Sequence, residues 1–107
     1  MNRLFRFPSM SYSLEFKESA LKEWKKLDGA IREQFKKKLA ERLVRPCVQS
    51  ARLKGMADCY KIKLKNAGYR LVYQVDDSRV VIIVVAVGKR ENLAVYQVAG
   101  KRVKGRY

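Results

Sequence analysis

No histidine occurs anywhere in the 107 residues. Proton transfer must then fall to Lys, Arg, Tyr, Asp, Glu or Cys, and Ser-His, Cys-His and His-His arrangements are excluded. Cysteine is nearly as scarce. Cys47 and Cys59 make no Cys-x-x-Cys pair, so with no imidazole there is no zinc-type ligand set, and neither metal nor cofactor is expected. In a reducing compartment the two are free thiols. No apolar run reaches about 18 residues, so no transmembrane helix is expected. The opening stretch from Met1 to Pro8 carries charge but no apolar core of about 7–15 residues, so it is not a secretory signal, and a cytoplasmic location is expected. Acidic residues are also few, 10 against 25 Lys+Arg, for a formal net charge of +15. That imbalance bears on partners rather than on fold. It points to nucleic acid, an acidic protein or an anionic membrane surface. Membrane ranks last, because the helices below have apolar stripes that a sheet would cover.

The length suggests one domain, and a hydrophobic content of 48% is enough for a single core. Residues 1–9 read as a basic, aromatic leader outside the domain, with Met10 as an alternative start. Met10 to Phe16 alternates like a strand, with Tyr12, Leu14 and Phe16 on one side. Ala20, Leu21, Trp24 and Leu27 then recur at helical spacing. Asp28 is the candidate N-cap of a second helix, whose stripe is Ile31, Phe35, Leu39 and Leu43. Pro46 ends it. The run Lys36-Lys37-Lys38 on that helix is by default a solvated face. Three strands follow a loop over 46–57. The last, from Arg79 to Val87, is an almost continuous β-branched run and reads as central, buried on both faces. Residues 91–103 read as a weak helix or an extended tail. The fold class is α+β: a small, antiparallel-rich sheet in the order β-α-α-β-β-β, an N-terminal helical hairpin on one face, and a short C-terminal helix.

The segment from Cys59 to Val75 is the most informative. It reads as a β-hairpin turning at Asn66-Ala67, with Gly68 closing the turn. Period 2 puts Lys61, Lys63 and Lys65 on one face and Tyr60, Ile62 and Leu64 on the other. In that register Lys63 lies opposite Arg70. Like charges directly opposite are destabilising, so a fold that gathers them there suits a polyanion. Taken alone, a Lys-x-Lys row is a solvated face, Arg90 a surface arginine and Tyr96 a packing residue. Together, Lys61, Lys63, Arg70, Arg90 and Tyr96 suit phosphodiester chemistry, in which positioning and electrostatic stabilisation dominate. Lys54, Lys65 and Arg52 are candidate RNA contacts beside them. An RNA substrate brings its own nucleophile, the 2′-OH. Crowded cations lower a lysine pKa and would favour phenolate at Tyr96, which makes a usable base from groups that ordinarily titrate near pH 10. Glu91 could act as an acid or base, but an ion pair with Lys89 or Arg90 is its simpler reading.

The segments Ala20–Leu27, Arg32–Leu39, Leu53–Met56, Asp58–Leu64, Gly68–Val75 and Val87–Glu91 occur in the order found in one known family. From about Met10 to about Lys101 the chain resembles the RelE-type toxins of bacterial toxin–antitoxin pairs, within the RelE/ParE superfamily. The resemblance implies a bacterial, cytoplasmic endoribonuclease that cuts mRNA in the ribosomal A site. The 2′-OH attacks, and a 2′,3′-cyclic phosphate and a 5′-OH are left. Implied partners are mRNA and ribosomal RNA on the 70S ribosome and a RelB-like antitoxin, with no membrane and no metal. The family's lysine pair falls on Lys61 and Lys63, its transition-state arginine on Arg70, its leaving-group arginine on Arg90, and its substrate-orienting tyrosine on Tyr96. A loop arginine of the family is Lys54 here, which keeps charge and loses the bidentate fork. The resemblance does not settle which group is the base; Lys61 is favoured, with Lys63 supporting charge. The leader and the Gly-interrupted tail over 100–107 depart from the family pattern and bear on antitoxin fit or ribosome contacts. Two other readings stay open: a ParE-like poison of DNA gyrase, and a non-catalytic basic module that binds RNA or the ribosome.

Overall fold

The computed structural model describes residues 11–89 and 94–104. The leader, Arg90, Glu91 and residues 105–107 lie outside them. The elements run β1 (Ser13–Phe16), α1 (Glu18–Lys25), α2 (Gly29–Val44), β2 (Cys59–Leu64), β3 (Tyr69–Asp76), β4 (Val81–Lys89) and α3 (Ala94–Lys104). A single 3-10 turn, Gln49–Ala51, interrupts the loop before β2. The four strands form one sheet in the order β1-β4-β3-β2. β1 is parallel to β4, and the other two pairings are antiparallel.

The α+β expectation holds, with β4 in the interior of the sheet as its β-branched run demands. One face is buried under the helical hairpin. Tyr60, Ile62, Leu64, Leu71, Tyr73, Val75, Ile82 and Val84 pack there against Ala20, Leu27, Phe35 and Leu39. Ile31 and Leu43 complete the α2 stripe at its edge. The opposite face carries a second cluster, in which Cys59, Val72, Val85 and Ala86 meet Val95, Ala99 and Val103 of α3. A bulge makes this second cluster. The register against β3 slips between Val72 and Tyr73, which pair with Ala86 and Val84. Consecutive Val85 and Ala86 therefore both face α3, where strict alternation would send one to each side.

Two boundaries differ from expectation. β1 starts at Ser13 rather than Met10, and Leu14 is exposed instead of joining Tyr12 and Phe16 in the core. β4 starts at Val81, because residues 77–80 are a turn closed by the Val80 N–H donating to the Asp77 carbonyl at 3.3 Å. Asp28 occupies the N-cap position of α2, but its side chain makes no capping bond; its carbonyl accepts from the Arg32 N–H at 3.0 Å. The C-terminal segment is a formed helix, α3. Pro46 acts as predicted: α2 stops at Val44 and Arg45 leaves the helical region at φ −134°. Both cysteines are free, Cys47 exposed and Cys59 buried. Among the described residues no helix is long and apolar enough to cross a membrane.

Candidate active site

The hairpin forms in the predicted register. Gly68, at φ +72°, lets the chain turn, and its N–H donates to the Leu64 carbonyl at 2.8 Å. Lys63 pairs with Arg70, and Arg70 pairs on its other side with Gly88 of β4. The row Lys63, Arg70, Gly88 thus crosses three strands on the α3 face. Lys61 and Lys65 flank Lys63 along β2, Lys61 half-buried and Lys65 exposed.

Gly88 explains why α3 approaches so closely. A Cβ there would lie 2.9 Å from Val95 Cγ2, inside van der Waals contact. Its absence lets the first turn of α3 settle beside Arg70. The Arg70 guanidinium carbon lies 5.1 Å from the centre of the Tyr96 ring, a cation–π distance. Arg70 Nε and the Tyr96 hydroxyl are both buried, and neither has a hydrogen-bond partner among the described residues. Leaving a buried polar atom unpaired costs about 1–3 kcal/mol, and two such atoms on adjoining side chains mark a place for a polar ligand.

The charge row acts most strongly on Lys63. The Lys61 ammonium, with slight desolvation and then Arg70 and Lys65, holds the Lys63 ammonium below its ordinary value. The sequence reading favours Lys61 as the base without settling it, and the lowered value at Lys63 makes that lysine a candidate as well. Lys63 sits mid-row and opposite Arg70, so it has the most cations around it.

Of the five residues read as catalytic, Lys61, Lys63, Arg70 and Tyr96 share one face, and Arg90 lies outside the described residues. Lys54 is exposed in the loop before β2. That loop docks on the same face through Leu53 and Met56, which pack against the α3 cluster. Arg52 is not brought to the row. Its Nη1 donates to the Tyr60 hydroxyl at 3.5 Å, and Tyr60 belongs to the helical-hairpin side. Arg42 was not foreseen from sequence. From α2 its Nη1 donates to the Lys61 carbonyl at 3.1 Å and to the Tyr73 hydroxyl at 2.8 Å, tying β2 to the helix beneath it. Its only sequence signal was a charge beside the buried Leu39–Leu43 stripe.

Residues 14–94 match the model of the family described as the ParE toxin of the type II toxin–antitoxin system parDE. The chain is 57% identical to the mRNA interferase toxin RelE of Escherichia coli K12 over 94 residues, 88% of this chain and 99% of the relative. A free-state structure of E. coli RelE carrying two arginine-to-alanine substitutions superposes with a TM-score of 0.82 at 56% identity, covering 88% of this chain and 99% of that one. The toxin in the intact E. coli RelBE toxin–antitoxin complex superposes at 0.74 with 57% identity, covering 77% and 100%. With its fold, its cationic face and these matches agreeing, the chain belongs to the ParE/RelE family of type II toxin–antitoxin toxins, on the RelE side of it.

Proposed function

We propose that this protein is an mRNA interferase, an endoribonuclease acting as the toxin of a type II pair, and that it cuts mRNA in the A site of the 70S ribosome. The observation that carries the reading is the row in which Lys63 faces Arg70 across the hairpin while Arg70 stacks on Tyr96 at 5.1 Å. Lys63, its pKa lowered by Lys61, takes the proton from the 2′-OH. The 2′-oxygen forms a bond to phosphorus as the bond to the 5′-oxygen breaks. Arg70 and Lys61 hold the non-bridging oxygens, where charge builds in the transition state. Arg90 supplies the proton to the departing 5′-oxygen, leaving a 2′,3′-cyclic phosphate and a 5′-OH. Tyr96 offers a stacking face for a base, and Lys54 and Lys65 bind the flanking backbone. By kinship with the RelE of the RelBE complex, the resting partner is a RelB-like antitoxin.

A defined mRNA, free and programmed on 70S ribosomes with an empty A site, tests this by primer extension. The expected result is a single cut within the A-site codon that requires ribosomes. Cutting of free mRNA would move recognition into the protein itself. No cutting in either form, by folded protein without antitoxin, would refute the enzymatic reading and turn attention to gyrase inhibition.

A further inference from the structure

β4 outruns its neighbour. β1 ends at Phe16, opposite Val84, while β4 continues to Lys89. Two side chains occupy the edge that β1 leaves vacant. Glu23 of α1 accepts the Val87 N–H on Oε1 at 3.1 Å, and Arg102 of α3 donates through Nη1 to the Val85 carbonyl at 2.7 Å. The two are joined fork to fork, Nη1 to Oε1 at 3.0 Å and Nη2 to Oε2 at 2.9 Å. The pair is well shielded, with the Arg102 side chain 22% exposed and that of Glu23 32%. They satisfy two backbone groups of that strand edge and couple α1, β4 and α3.

The apolar hold on α3 is a different kind of force. Val95, Ala99 and Val103 are small and apolar, and their burial is non-directional. It keeps the helix on the sheet without fixing its rotation. At about 3.6 residues per turn, Arg102 flanks that stripe on one side and Tyr96 on the other. Turning α3 about its axis moves both together. A bidentate arginine–carboxylate pair is the directional element that sets the angle.

We propose that Glu23 and Arg102 are positioning residues. Their fork fixes the rotation of α3 and so sets the Tyr96 ring on the Arg70 guanidinium. The activity arm of the test rests on the endoribonuclease reading; the geometric arm does not. In the free protein, with the guanidinium 5.1 Å from the ring centre, the Arg70 Nε–H resonance is expected to be displaced by the Tyr96 ring current and to return to its undisplaced position in Tyr96→Ala. Arg102→Ala is expected to move it toward that position. In ribosome-programmed cleavage, Arg102→Ala is expected to lower kcat by about 10- to 100-fold, the scale of a misplacement near 1 Å, and to change KM little. In a Tyr96→Ala background the same substitution should cost nothing further. If Arg102→Ala does not fold, Glu23→Gln serves, since the amide keeps an acceptor for Val87 and breaks one limb of the fork. An unmoved Arg70 resonance with a lowered melting temperature would reduce the pair to a structural brace. Losses that add in the double variant would also overturn the proposal. A resonance that moves in a protein whose wild type cuts no RNA would uphold the positioning and overturn the enzymatic reading instead.

Discussion

Tyr73→Phe isolates one oxygen in the layer beneath β2. The Tyr73 hydroxyl donates to the Pro46 carbonyl at 2.6 Å and accepts from Arg42 Nη1 at 2.8 Å. The ring is fully buried, stacked on Tyr60 with centroids 5.7 Å apart, and the Arg42 guanidinium lies 5.7 Å from its centre. Phenylalanine keeps the ring, its apolar area and the cation–π contact. What is lost is the hydroxyl, and what remains is a buried carbonyl without its donor and a guanidinium proton without its acceptor. Stranding such groups costs about 1–3 kcal/mol, so about 2 kcal/mol is expected here. For a domain near this size that lowers the melting temperature by about 10 °C.

The assay is thermal and urea unfolding followed by circular dichroism. The midpoints should drop with the m-value unchanged, since the surface exposed on unfolding is the same. A melting temperature within about 2 °C of wild type would refute the reasoning, because it would mean that both groups find water as easily as they found the hydroxyl. Arg42 keeps its bond to the Lys61 carbonyl in this variant, so ribosome-dependent cleavage should survive at temperatures where the protein is folded.

Four further outcomes are expected. Lys61→Met removes the largest influence depressing Lys63, so the limb of the pH–kcat profile that reports the base should move to higher pH; a limb that stays put would take the base role from Lys63. Burial raises the Cys59 thiol from 9.0 to about 11. The stability it contributes is therefore intact below pH 9 and lost as pH rises through about 11, a loss of ~3 kcal/mol, and unfolding curves across that window should flatten in Cys59→Ala. Gly88→Ala places a Cβ 2.9 Å from Val95 Cγ2 and should cut kcat about 10-fold by pushing α3 off Arg70, with Val95→Ala restoring it. Val80 is a β-branched residue at φ +56°, 43% exposed, so Val80→Asn should raise stability by about 1 kcal/mol in the melting curve, since Asn tolerates the left-handed region.

The parts of this fold that were legible are those written in local periodicity. The hairpin register followed from a two-residue alternation and one turn, and it placed Lys63 opposite Arg70 without any long-range information. The buried faces of α2 and β4 followed likewise from Phe35 and Leu39 at helical spacing and from a run of β-branched residues. α3 was faint for a physical reason. Its core stripe is Val95, Ala99 and Val103, with Gly100 in the interior, so its intrinsic helical preference is weak. The helix is held by features of other elements: a missing Cβ at Gly88, a bulge that turns Val85 and Ala86 to one side, and a carboxylate on α1 79 residues away from Arg102. None of these has a spacing that a linear reading can find.

The choice between Lys61 and Lys63 is a different case. The predicted register already put Lys63 in the middle of three lysines and opposite Arg70, and the neighbouring cations, Lys61 first, disfavour its charged form. A repulsion that β-pairing rules count as a defect also disfavours the Lys63 ammonium, and its deprotonation relieves it. For Lys63 as the proposed base, the cost to the sheet and its reactivity are then the same interaction, and a substitution that relaxes the first should weaken the second.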